Sequence, residues 1–138
     1  MSIKYKFYHD RGLLADIVEG TVKAQDIRDL FLHLTSPGLF PDYYLVLSDI
    51  KNSDLDIKLS EIPDFVKLIT HHAARPGFKW AIISSGARAT AISMALHLHG
   101  ELNDHIAVFS TLDGCTKFLG VPFEAREFSD EDFVVFRE

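Results

Sequence analysis

The clearest pattern in the sequence is an apolar run followed by a polar turn and an alanine-rich segment. Residues 79–83 (Lys-Trp-Ala-Ile-Ile) carry four apolar side chains in a row, which is typical of a buried strand. Ser84-Ser85-Gly86 predict a tight turn, and residues 87–99 predict a helix because they lack proline and are followed by Gly100. A strand, a turn and a helix make up the repeating unit of an α/β sheet, so the pattern predicts an α/β fold.

Weaker patterns extend this order along the chain to β-β-α-β-α-β-α-β-α. Alternation over residues 3–9 and 13–18 predicts an opening hairpin. Apolar residues at helical spacing predict a helix over residues 22–34, with Thr21 as its N-cap. Residues 50–59 are charged and predict an irregular segment. The other predicted strands cover residues 43–48 and 105–109, and the other predicted helices begin near Ser60 and at Ser110-Thr111.

The composition is that of an ordinary soluble domain. The chain has 138 residues, of which 47% are hydrophobic and 25% charged, enough for one buried core. A net charge of −6 argues against non-specific binding to nucleic acid or to an anionic membrane surface. No apolar run approaches the roughly 20 residues of a membrane span, and the first residues lack the pattern of a signal peptide, so we expect a cytoplasmic protein.

The element order, Leu47-Ser48-Asp49 at the end of a strand and Glu19-Gly20-Thr21 before a helix resemble the bacterial SpoIIAA-like proteins of the STAS/SEC14 group. The resemblance covers about residues 3–120. It implies a β-α superhelix with a mostly parallel, five-stranded sheet and an N-terminal hairpin. Members of the group include anti-anti-sigma factors, which bind a kinase partner, and STAS domains of anion transporters, while related folds carry lipids.

Polar residues follow the predicted parallel strands, whose carboxyl ends would share one edge of the sheet. Ligands favour that edge in open α/β sheets, and the helices that start there offer free backbone N–H groups to an anion. Arg88 would add a bidentate donor. The alternative is that these side chains merely cap helices. The candidate residues for contact with a ligand or partner are Asp49, Ser84, Ser85, Gly86, Arg88 and Thr111.

The resemblance also suggests a phosphorylation site. In anti-anti-sigma factors the phosphorylated serine opens the second helix within Asp-Ser-Ser-Gly, and Ser60 stands at about that place here. The surrounding residues are Lys58-Leu59-Ser60-Glu61, so the aspartate and the glycine are missing. An ordinary N-cap is the alternative role for Ser60.

The sequence does not predict a metal site, a cofactor site or catalytic residues. His97 and His99 point about 200° apart on a helix and cannot share one ion, and the adjacent His71 and His72 have the same difficulty. Cys115, the only cysteine, stands near a helix start that could lower its thiol pKa, but no histidine is placed as its base. Common nucleotide-binding and hydrolase motifs are absent.

The last residues are rich in phenylalanine. Five of the eleven phenylalanines lie at positions 118, 123, 128, 133 and 136, and such rings are rarely left in water. Right-handed crossovers would place the helices on one face of the sheet, so the other face needs a cover. We expect a domain over residues 1–120 and a tail over residues 121–138 that covers this face, in its own subunit or in a homodimer.

The sequence favours a non-enzymatic binding or regulatory module that contacts a protein partner or a small anion at the carboxyl edge of the sheet. The alternative is a carrier of a small amphipathic or lipid-like ligand, with Leu39-Phe40-Pro41 and Tyr43-Tyr44 lining its pocket. An enzyme of unknown reaction ranks third, because no acid/base pair and no nucleophile with its base can be named.

Overall fold

A computed structural model describes residues 1–36, 44–72 and 76–138. The described residues form six strands and four α-helices. The strands are β1 (Ser2–Tyr8), β2 (Leu13–Lys23), β3 (Leu45–Asp56), β4 (Lys79–Ile83), β5 (Ile106–Phe109) and β6 (Val134–Arg137). The helices are α1 (Ala24–Leu34), α2 (Ile62–His72), α3 (Ala87–His97) and α4 (Leu112–Leu119).

The strands form one mixed sheet in the order β5-β4-β3-β2-β1-β6. Neighbours from β2 to β5 pair in parallel, whereas β1 pairs antiparallel with both β2 and β6. The predicted α/β fold is confirmed, but the predicted count of five strands was wrong. The sixth strand comes from the tail and lies beside β1 at the edge of the sheet.

Strands β2 and β3 are longer than the sequence predicted. Residues 19–21 and 50–56 belong to these strands, and Gly20 to Lys23 pair with Ser53 to Asp56. The pairing satisfies the backbone groups of both polar stretches, which is why neither is irregular. Thr21, the predicted N-cap of the first helix, is therefore a strand residue, and Lys23 precedes α1 as its N-cap.

The sheet has two covered faces. On the first face, helices α1, α2 and α3 pack on alternate strand residues such as Val46 and Ile82. On the second face, α4 contributes Cys115 and Leu119 to a separate cluster that includes Ile83. The sequence predicted all helices on one face, which was wrong for α4. Because α4 follows the last parallel strand, it needs no crossover to a further one and can pack on the other side.

The tail packs against the sheet of its own chain. Phe123 is buried with its ring centroid 5.4 Å from that of Tyr8 and 4.8 Å from that of Phe128. At the far end of the tail, β6 pairs with β1, and Arg137 donates hydrogen bonds to the carboxylates of Asp26 and Asp29 on α1. The tail thus crosses the second face and then fastens to a helix of the first.

None of the helices in the described ranges has the length and apolar character that crossing a membrane requires.

Candidate functional site

An apolar cavity of about 90 Å³ lies between the first face of the sheet and helices α1 to α3. The cavity is partly open. The helices contribute aliphatic and aromatic side chains and the strands contribute the floor. The lining residues include Asp16, Phe31, Ser48, Phe65, Phe78, Trp80 and Ile82.

The floor of this cavity carries a buried carboxyl group. Side chains alternate along a strand, so Leu14, Asp16 and Val18 of β2 all face α1 to α3. The sheet register sets Asp16 beside Ser48 of β3 and Ser48 beside Ile82 of β4. Asp16 and Ser48 are only 4% and 3% exposed.

A chain of hydrogen bonds ends at this carboxyl group. Trp80 Nε1 donates to Ser48 Oγ at 2.9 Å, and Ser48 Oγ donates to Asp16 Oδ2 at 2.7 Å. The N–H group of Trp80 and the hydroxyl group of Ser48 are therefore both already engaged as hydrogen-bond donors. These two hydrogen bonds hold the carboxyl group of Asp16 at the wall of the apolar cavity.

Burial determines the protonation of Asp16. Loss of hydration raises the pKa of its carboxyl group to about 7, the hydrogen bond from Ser48 opposes this rise, and the charge of Asp49 adds to it. Within the described ranges, no lysine, arginine or histidine forms an ion pair with Asp16. The group consequently changes protonation near neutral pH, as groups at functional sites often do.

The rim, which comprises the residues predicted to bind at the carboxyl edge of the sheet, is only partly assembled; these residues are Asp49, Ser84, Ser85, Gly86, Arg88 and Thr111. Asp49 pairs in register with Ile83, at the level where β4 ends, but its side chain lies on the face opposite Asp16 and accepts from Lys51 N at 3.1 Å. Ser84 is buried and shares a 2.8 Å hydrogen bond with Thr90. Ser85 is exposed and donates to the carbonyl oxygen of Lys51 at 3.2 Å.

The remaining rim residues mark the starts of two helices. Gly86 is the N-cap of α3, and open space surrounds the position where a Cβ would be. Arg88, in the first turn, pairs with Asp54 at 3.2 Å. Thr111 is the N-cap of α4 and accepts from Gly114 N at 3.2 Å. These contacts occupy several candidate side chains with partners of the same chain; their role in binding stays a prediction.

Other candidates fall outside the cavity. Ser60 is exposed in a short 3₁₀ turn (Leu59–Glu61) whose N-cap is Lys58, so it does not itself cap a helix, and its phosphorylation stays a prediction. Burial raises the pKa of the Cys115 thiol to about 12, so the position near a helix start does not lower it. Leu39, Phe40, Pro41 and Tyr43, proposed as pocket walls, lie outside the described residues.

Metal ligands do not gather in the described part of the chain. It holds no group of three or more histidine, cysteine or acidic side chains that could bind an ion. Two of the histidines bond to backbone instead: His97 to the carbonyl oxygen of Ile106, and His105 to that of Phe78.

The sequence matches no family profile and no curated protein. Among solved structures it is similar to the crystal structure of an uncharacterized DUF3478-family protein with a SpoIIAA-like fold from Shewanella loihica PV-4. The TM-score is 0.51 at 20% sequence identity, over 86% of this chain and 95% of that one. The chain has a SpoIIAA-like fold. The resemblance drawn from element order is thereby confirmed, and at this identity the likeness concerns the fold alone.

The polar floor of the cavity was not predicted from the sequence. Asp16 is a lone acid inside the apolar run Leu-Leu-Ala-Asp-Ile-Val at residues 13–18. An acid in the middle of a buried strand is the signal that could have identified it, because a carboxyl group is costly to bury. Its partners Ser48 and Trp80 come from distant strands, and only the register joins them.

Proposed function

We propose that this SpoIIAA-like chain is a non-enzymatic binding protein that holds a small amphipathic molecule in the cavity between the sheet and α1 to α3. One observation carries the proposal: a single buried carboxyl group, that of Asp16, faces an otherwise largely apolar cavity. Ligand sites combine mostly apolar walls with a few placed polar groups, and this cavity has that composition.

A purely structural role would not need an acid at this position. An apolar residue at position 16 would fill the same face without the cost of removing a carboxyl group from water. The hydrogen bond from Ser48 offsets only part of that cost, since the pKa of Asp16 remains raised to about 7. A ligand that binds to the carboxyl group would explain why an acid is present at this buried position.

The volume of the cavity limits the size of the ligand. Pockets for drug-sized ligands span roughly 300 to 1,000 Å³, whereas an apolar cavity of about 150 Å³ is enough for benzene. The cavity of about 90 Å³ therefore favours a molecule with a body of about four carbons over a long-chain lipid. This narrows the carrier hypothesis that the sequence suggested.

Two neighbouring residues of β4 give a matched pair of variants for the test. Ile82 lines the cavity, and Ile83 packs on the second face. Ile82→Phe would fill the cavity, whereas Ile83→Phe adds the same atoms on the other side of the sheet. Native mass spectrometry of freshly purified protein should find a small ligand on the wild type and on Ile83→Phe and none on Ile82→Phe.

Direct binding complements this measurement. Ligand-observed NMR with n-butylamine, 1-butanol and butyrate should detect binding of at least one probe to the wild type and no binding to Ile82→Phe. A wild-type protein that carries no ligand and binds none of the three probes would rule out the proposed function.

A second candidate function is contact with a protein partner or small anion at the rim. The exposed side chains of Ser85 and Arg88, beside the open space at Gly86, support it. Arg88→Glu reverses the charge there without touching the cavity. Titration with inorganic phosphate, followed by amide NMR shifts, should move the signals of residues 85–88 in the wild type but not in Arg88→Glu; unmoved wild-type signals would count against an anion site.

A further inference from the structure

The two hydrogen-bond donors beside the Asp16 carboxyl group are already engaged. The Trp80 N–H is engaged by Ser48, and the Ser48 hydroxyl proton is engaged by Asp16. The carboxylate at the end of the chain has only acceptor oxygens when it is ionised. A ligand that complements it must therefore supply the donor.

The charge in the cavity has one sign. Asp16 is the only charged side chain among the described residues that line it, and those contributed by α1, α2 and α3 are uncharged. Asp49, on the opposite face of the sheet, adds further negative potential at the Asp16 carboxyl group. An anionic head group would be repelled here, whereas a cation would gain an ion pair in a site of low dielectric constant.

Aromatic rings in the lining of the cavity support the same conclusion. Phe31, Phe65, Phe78 and Trp80 all contribute to the lining. Cations are attracted to the faces of such rings as well as to the carboxylate.

We propose that the cavity is selective for a small organic cation, a primary amine with a short apolar body whose ammonium group donates to the Asp16 carboxylate. The inference rests on the proposed function and specifies the class of its ligand. The ammonium group forms the ion pair at the floor, and the alkyl body lies among the apolar walls.

Binding of this kind depends on pH through Asp16. An alkylammonium group stays protonated up to about pH 10, as lysine does, so the ligand keeps its charge across the working range. The carboxyl group must lose its proton to pair with it, and its pKa lies near 7. Among the described lining residues no other group titrates in this range. Affinity for the amine should therefore rise about tenfold between pH 6 and pH 8.

Three four-carbon probes separate the ligand classes on the wild-type protein. The dissociation constants of n-butylamine, 1-butanol and butyrate are measured by ligand-observed NMR at pH 6 and pH 8. We expect the amine to bind at least tenfold more tightly than the alcohol at pH 8, and butyrate most weakly. If the alcohol or the acid binds as well as the amine, the cation proposal is wrong while the proposed function stands. If no probe binds, the cation proposal is wrong, and if the purified protein also carries no ligand, the proposed function itself fails.

A matched pair of variants tests the role of the carboxylate. Asp16→Asn keeps the shape and removes the charge, and should abolish both the preference for the amine and its rise with pH while 1-butanol still binds. Asp64→Asn makes the same change at an exposed position of α2 and should leave all three affinities unchanged. Preference for the amine that survives in a folded Asp16→Asn protein would overturn the proposal; should this variant not fold, the pH profile of the wild type decides, and a flat profile overturns it.

Discussion

The first face of the sheet keeps a cavity with a carboxyl group on its floor, whereas the second face is closed by α4 and the aromatic rings of the tail. Both faces use the same strands, because neighbouring residues such as Ile82 and Ile83 point to opposite sides. The two faces therefore differ because different elements cover them: α1 to α3 cover the first face, and α4 with the tail covers the second. The second face contributes close packing, whereas the first carries the cost of a buried carboxyl group, which the proposed binding function would explain.

The largest expected effect comes from removing the cover of the second face. A chain that ends at Gly120 would lose β6 from the edge of the sheet and expose the ring of Tyr8, which packs on Phe123. We expect the loss to be comparable with the whole free energy of unfolding of a small domain, about 5 to 15 kcal/mol. Circular dichroism and urea unfolding measure it. A soluble shortened chain with an unchanged, cooperative transition would show that the tail is not part of the core.

The next largest effect concerns the free-energy cost of burying the carboxyl group of Asp16 on the first face. Its folded pKa of about 7 exceeds the usual value of about 4, so the folded protein holds a proton that the unfolded chain has already released. The contribution of Asp16 to stability should therefore fall as pH rises from about 4 to about 7. The fall should reach up to about 4 kcal/mol, since a tenfold change in a proton-binding constant corresponds to about 1.4 kcal/mol.

Asp16→Asn isolates this contribution because it cannot titrate. The free energy of unfolding in urea, measured for both proteins between pH 4 and pH 8, should change in favour of the variant as pH rises. Other carboxyl groups, including that of Glu127 with its lowered pKa, titrate equally in both proteins and cancel in the difference. A difference that stays constant with pH would mean that Asp16 is hydrated in solution.

A smaller effect is expected from two substitutions that compare the packing of the two faces directly. Ile83→Phe inserts atoms into the filled second face and should cost about 1 to 3 kcal/mol, as overpacking of a core does. Ile82→Phe extends into the cavity and should cost less than about 1 kcal/mol. Thermal and urea unfolding of the two variants measure this, and equal losses would mean that the cavity does not accommodate the larger ring.

The comparison also explains which parts of the structure the sequence could predict. Strand β4 was predicted with its observed bounds because its apolar run is continuous and locally bounded. The ends of β2 and β3 were missed because their polar stretches are strands only through pairing with each other. For the same reason β6 was missed, since its partner β1 lies at the other end of the chain.

The candidate site was harder to predict than the fold. Helix starts are visible in a sequence, and they led to the rim residues such as Ser85 and Thr111. The cavity depends on the register that joins Asp16 to Ser48 and on where the helices leave space, neither of which leaves a local pattern. The isolated acid in an apolar strand, Asp16, was the only feature of the sequence that indicated the cavity.

The smallest expected effect concerns the ion pairs of two arginines, Arg88 and Arg137, which join different parts of the molecule. Arg88 and Asp54 at the rim are 59% and 57% exposed, so water and salt screen their attraction. Arg88→Gln should change the free energy of unfolding by less than about 0.5 kcal/mol. Arg137 instead bonds two carboxylates of α1 and fastens the tail that closes the second face, so Arg137→Gln should lower the urea midpoint by more. If Arg88→Gln is the more damaging of the two, the rim contributes to the stability of the fold, and loss of phosphate binding in Arg88 variants could no longer be attributed to a binding site.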